Sequence, residues 1–151
     1  LKHDLDQASP RGNGVTEVGY FRVRDWEPLK LVTPRIVDDH IAHFLAIMEQ
    51  QPKPIYVHCR YGQDRTGAMI AVFRMLMEGV SKEDAIAELR RKRGNWLALD
   101  EKYIRGLSPR HLEEIRRKMA EWIPKLKMDA RLVCSNGACA FTDAADNGAG
   151  R

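Results

Sequence analysis

The apolar positions of this chain change their period along its length. From Val15 to Arg24 they crowd at Val18, Tyr20, Phe21 and Val23, a strand-like stretch that ends at Asp25. Asp25-Trp26-Glu27-Pro28 begins a loop. The period then lengthens: Ile36, Val37, Ile41, Phe44, Leu45 and Met48 recur at helical spacing. They follow Thr33-Pro34, where a threonine can cap exposed backbone N–H groups and a proline at the first helical position forgoes no bond. Pro52 and Pro54 end that helix. Ile55-Tyr56-Val57-His58 is a short apolar run, the pattern of a buried strand with Tyr56 and Val57 in the core. After residues 59–67 an apolar helix runs to about Met77, with Gly79 as its stop. Ser81 to Asp84 resembles a capping box and opens a helix to about Arg93. Ser108-Pro109 starts another, with Leu112, Ile115, Met119 and Trp122 on one side and Pro124 at its end.

The two ends read differently. Leu1 to Gly14 is polar, with Ser9-Pro10 and Gly12-Asn13-Gly14 as turn signals. From Met128 the composition turns to Ala, Gly, Asn and Asp, and Asn136-Gly137 suits the tight turn of a hairpin over 131–141. Such a turn sets Ser135 opposite Ala138 and Cys134 opposite Cys139. The element order of strand, helix, strand, loop and several helices predicts an α/β domain over residues 1–127, helices packed on a sheet. A small hairpin and flexible tail over 128–151 complete the expected organisation.

Composition narrows the function classes. The 151 residues suit one domain with a sizeable core, and 44% hydrophobic content with 30% charge is that of a globular protein. No apolar run approaches the roughly 18 residues of a membrane span. Net charge is +4, but residues 60–127 hold 16 Lys/Arg against 10 Asp/Glu, so the excess gathers there. A basic field favours an anionic substrate. No aromatic and basic stripe of the kind that stacks nucleic-acid bases interrupts it, so nucleic acid is not an expected partner. Three cysteines are too few for a disulfide framework. The compartment stays open: the cytoplasm is favoured over a periplasmic or secreted location, which a leader ahead of Leu1 would bring.

The chemistry concentrates in Cys59-Arg60-Tyr61-Gly62-Gln63-Asp64-Arg65-Thr66-Gly67, set between an apolar run and an apolar helix. A loop that curls there lets its backbone N–H groups converge above a helix N-terminus, where amide donors and the helix dipole bind an anion together. Arg65 adds a planar fork that matches two phosphate oxygens. The same positive surroundings lower the pKa of a cysteine, leaving Cys59 a thiolate directly before the bound phosphate.

His58-Cys59, five residues, then Arg65-Thr66-Gly67 resembles the signature of the protein tyrosine and dual-specificity phosphatase superfamily. The resemblance implies a mixed or mainly parallel sheet flanked by helices, with the signature loop at its C-terminal edge. It implies that Cys59 is the nucleophile, Arg65 the stabiliser of the equatorial oxygens, Thr66 a hydrogen-bond donor to the sulfur, and His58 a residue that orders the loop. Arg60, Tyr61, Gly62, Gln63 and Asp64 would lend backbone amides, Gly62 permitting the bend. The family also uses an aspartate roughly thirty residues before the cysteine as general acid. Asp25 lies 34 positions upstream and fits, with Asp38 and Asp39 as fallbacks inside a helix. Dual-specificity domains carry a further strand and helix ahead of this segment, whereas 58 residues precede Cys59, so the domain is expected to be truncated or minimal.

The implied substrate is a phosphorylated protein or a small anionic phosphate ester, handled through a phosphocysteine intermediate with no cofactor and no metal. A phosphoinositide or inositol phosphate is the alternative within the superfamily. A non-catalytic phosphate-binding module would be expected to carry a damaged signature, and a thiol redox or sulfur-transfer enzyme has less need of Arg65-Thr66-Gly67. His40 and His43 stand three apart on a helix and read as surface histidines rather than metal ligands. Arg90-Arg91-Lys92-Arg93 reads as a solvated helix end.

Overall fold

The computed structural model describes residues 17–23, 34–59, 62–92, 99–135 and 138–143. In order, these form β1 (Glu17–Tyr20), α1 (Pro34–Gln50), α2 (Asp64–Met77), α3 (Lys82–Lys92), α4 (Leu99–Gly106), α5 (Pro109–Trp122), a short 3-10 turn (Ile123–Lys125), β2 (Ala130–Ser135) and β3 (Ala138–Asp143). The chain divides into two compact units, Val23–Leu126 and the two ends that flank it.

The larger unit is helical. The α1 positions Val37, Ile41, Phe44 and Leu45 are buried on one face, as the 3.6-residue period requires, whereas Ile36 falls off that face at 43% exposed. They form one core with Ala68, Met69 and Val72 of α2, Ala85, Ile86 and Leu89 of α3, Tyr103 and Ile104 of α4, and Ile115 of α5. Helix ends follow local chemistry. Ser81 accepts from the Asp84 N–H at 3.1 Å and donates back to its carboxylate at 2.7 Å, opening α3. Ser108 accepts from the His111 N–H at 3.1 Å, with Pro109 as first residue of α5. Gly79 leaves α2 at φ +67°, a region that a side chain disfavours. Lys82 of α3 donates to the Leu107 carbonyl at 2.5 Å, just past the C-terminus of α4, where a cation complements the dipole. Helix α4 has no counterpart in the sequence reading. Eight residues present too few repeats for a periodic signal, and the helix is held instead by burial of Tyr103 and Ile104.

The smaller unit is a three-stranded sheet in the order β1-β2-β3. Both pairings are antiparallel, with Glu17 opposite Val133, Leu132 opposite Phe141 and Cys134 opposite Cys139. This corrects the expected mixed or mainly parallel sheet: the partner of β1 is β2, over a hundred positions later, rather than a strand leading to Cys59. Ile55–His58 pairs with no strand among the described residues, and Tyr56 is 68% exposed, so it is not core. Its neighbours Ile55 and Val57 are half-buried, and Val57 packs against the core. One side of the run is therefore covered and the other wet. An amphipathic tyrosine tolerates that position where a leucine would not.

Candidate active site

Residues leading into α2 set the geometry. Gly62 stands at φ +66°, and Gln63 follows at φ −110°, ψ −82° as the N-cap, without a side-chain cap bond. The first helical bond runs from the Gly67 N–H to the Gln63 carbonyl at 2.7 Å. Amides ahead of that bond, those of Asp64, Arg65 and Thr66 among them, lie at the open end of the helix, where the dipole favours a negative charge. Arg65 is the second residue of α2 and Thr66 the third; both are half-buried. Cys59 carries a half-buried thiol and precedes Arg65 with five residues between them. His58 stacks on Tyr56 with ring centroids 5.4 Å apart, a platform that limits how the ring beside the cysteine can turn.

Two polar atoms here are buried without a hydrogen-bond partner among the described residues: Thr66 Oγ1 and Asp64 Oδ1. Buried hydroxyl and carboxylate oxygens are normally satisfied. The Thr66 hydroxyl is therefore a donor in want of an acceptor, and it does not bond the Cys59 sulfur in this structure. Gly67 has another task. A Cβ built on it would lie 2.6 Å from Leu89 Cδ1, so its missing side chain lets α2 press against α3.

Asp25, Arg60 and Tyr61 lie outside the described residues. The fallback acids do not point to proton transfer. Asp38 is 3% exposed, accepts from the Tyr103 hydroxyl at 2.6 Å and meets His111 Nε2 at 2.7 Å. Burial, and then the Asp38 carboxylate beside it, push the Tyr103 phenol well above its ordinary pKa of 10.0, so it stays a donor. Asp39 accepts from Trp122 Nε1 at 3.0 Å, and His43 stacks on that indole at 4.3 Å. These two aspartates tie α1 to α4 and α5.

Another polar cluster braces the same helices. Glu101 of α4 receives both Arg90 Nε at 2.9 Å and Arg90 Nη2 at 2.7 Å from α3, and Arg105 Nε at 2.9 Å. Hydrogen bonds from Arg90, then Arg105, hold its carboxyl at a pKa of about 2. Arg90 is thus committed to a fork-to-carboxylate pair instead of standing as open positive charge. The sequence reading missed the Asp38 and Glu101 clusters. Their one sequence signal is an acidic residue on an otherwise apolar helix face, as at Asp38 beside Val37 and Ile41.

Comparison with known proteins bears on the same segment. Residues 37–110, just under half of the chain, match the family described as dual specificity phosphatase, catalytic domain. The chain is similar to the dual specificity protein phosphatase TpbA of Pseudomonas aeruginosa, 33% identical over 60 residues that cover 36% of this chain and 27% of that protein. It is also similar to the RNA/RNP complex-1-interacting phosphatase of Mus musculus, 32% identical over 80 residues, 53% of this chain and 25% of that one. The matches thus span about a quarter of the length of these relatives. No solved structure matches the chain. No helix among the described residues is long and apolar enough to cross a membrane.

Proposed function

We propose that the chain is a member of the dual-specificity phosphatase superfamily, whose catalytic-domain family residues 37–110 match, and that it hydrolyses phosphate monoesters through a phosphocysteine intermediate on Cys59. The observation that carries this reading is the start of α2: Gly62 at positive φ, an N-cap without a side-chain cap, and Arg65 in the first turn. Such a helix end binds a phosphate through its amides and dipole, and the fork of Arg65 spans two equatorial oxygens.

In the first step the Cys59 thiolate attacks phosphorus as the ester oxygen departs, and Asp25 gives that oxygen a proton. Water then attacks phosphorus in the second step, giving a proton to the Asp25 carboxylate, while the P–S bond breaks to release inorganic phosphate and return the sulfur as thiolate. Thr66, whose hydroxyl is buried and has no bond among the described residues, donates to the departing sulfur once the loop is loaded. His58, held against Tyr56, orders the loop beside the nucleophile. Arg60, Tyr61, Gly62, Gln63 and Asp64 add amide donors. The substrates are phosphotyrosine and dual-specificity protein sites. Arg90 of the basic segment pairs with Glu101, which weighs against that residue serving an inositol phosphate.

Cys59→Ser tests the proposal. The sulfur supplies the nucleophile, whereas amides and Arg65 supply the binding. Turnover of an aryl phosphate should vanish while tungstate still binds. Retained turnover would refute the covalent mechanism, and failure of the wild-type chain to bind tungstate would refute the loop as a phosphate site.

A further inference from the structure

The hairpin register sets Cys134 of β2 directly opposite Cys139 of β3. We propose that these two residues form a reversible disulfide through exchange with a low-molecular-weight disulfide, a modification site separate from the Cys59 chemistry. Directly opposed residues of an antiparallel pair have Cα atoms about 5.5 Å apart in a hydrogen-bonded pair and about 4.5 Å in the other class. A disulfide accepts Cα separations of about 4.4–6.8 Å, so either class suits the bond without moving the backbone. Opposed positions also share a face of the sheet, because the two strands alternate in step. That face carries the next pair but one, Leu132 opposite Phe141. Solvent reaches it there, since Phe141 is 42% exposed while Leu132 is 4% exposed.

The exchange balances without another oxidant. The Cys134 thiolate attacks one sulfur of oxidised glutathione, forming a mixed disulfide and expelling one glutathione thiolate. The Cys139 thiolate then attacks the Cys134 sulfur and expels the second. Two protein thiols are oxidised, one glutathione disulfide is reduced to two thiols, and the two protons lost by the protein thiols are balanced by the two that the glutathione thiolates take up. The opposite order of attack gives the same products.

The full chain is equilibrated in a series of glutathione redox buffers, acid-quenched, alkylated and digested with trypsin. Cys134 and Cys139 fall in one fragment, Leu132–Arg151, and Cys59 in another that ends at Arg60. The 132–151 fragment should lose two hydrogens and escape alkylation. Its equilibrium should favour the disulfide at least about tenfold more in the folded chain than in the same chain in urea, because the register holds the pair together before reaction. Cys134→Ser should leave Cys139 able only to form a mixed disulfide. A folded-to-urea ratio below about tenfold, persistence of both thiols in every buffer, or pairing of either with Cys59 would overturn the proposal.

Discussion

Tyr103→Phe isolates one hydrogen bond in the helical core. The ring remains, so no cavity opens, and what is lost is the hydroxyl that donates to Asp38 at 2.6 Å. Asp38, 3% exposed, keeps only His111 Nε2 at 2.7 Å among these two partners. A hydrogen bond to a charged group contributes about 1.5–3 kcal/mol, so stability near pH 7 should fall by that amount. In a chain of this size each kcal/mol lowers Tm by about 2–4 °C. Alkaline pH supplies the sharper test. The folded phenol titrates above its ordinary value of 10.0, so between 10 and that higher value the unfolded chain loses a proton that the folded chain keeps. Its stabilising contribution is therefore full below about 10 and declines as pH rises further. A phenylalanine at this position has no such proton, and the wild-type advantage should shrink by up to about 1.4 kcal/mol per pH unit above 10. Urea unfolding of both proteins at pH 7, 9, 10 and 11, followed by tryptophan fluorescence and circular dichroism, measures the difference. An equal stability at pH 7, or a gap that stays constant to pH 11, would refute the role assigned to this hydroxyl.

Glu101→Gln should act at the opposite end of the scale. Its folded pKa of about 2 lies below the ordinary 4.5, so its contribution is present above 4.5 and lost as pH falls toward 2; acid unfolding should show a shallower descent across that window in the variant. Gly62→Ala puts a Cβ on a residue at φ +66°, which should cost about 1–2 kcal/mol, read as a lowered urea midpoint, with weaker tungstate binding in the fraction that folds. Asp25→Asn should flatten the alkaline limb of the pH–rate profile and slow substrates with poor leaving groups more than an activated aryl phosphate. Asp38→Asn should destabilise the fold yet keep that limb, and the reverse pattern would make Asp38 the acid.

How much was legible beforehand depended on how far each signal reached along the chain. The stripe of Val37, Ile41, Phe44 and Leu45, the Ser81 and Ser108 caps, and the Gly79 stop lie within one helix and its flanks. All could be read locally. So could the register of Cys134 and Cys139, because a two-residue connection determines which positions face each other. The spacing from Cys59 to Arg65 was equally local. Partners of β1, Asp38 and Glu101 were not. Val18 meets Leu132, and Asp38 meets residues 65 and 73 positions later. Those choices depend on how the helices pack, which no local period encodes. Ile55–His58 failed for a related reason. An apolar run announces burial, but not whether one side or two will be covered.

Gly67 ends the signature motif, yet its neighbour in space is Leu89 of α3. The next residue of that helix, Arg90, clamps Glu101 of α4, while Glu88 receives Arg74 of α2. Helix α3 therefore works as a keystone: one turn of it bears on the helix that carries Arg65 and also grips its neighbour. Helix α2, its N-terminal end included, is thus seated from behind, by Glu88 and Leu89 of α3 rather than by the motif itself. An engineer wishing to tilt that end without altering the motif would begin at Leu89.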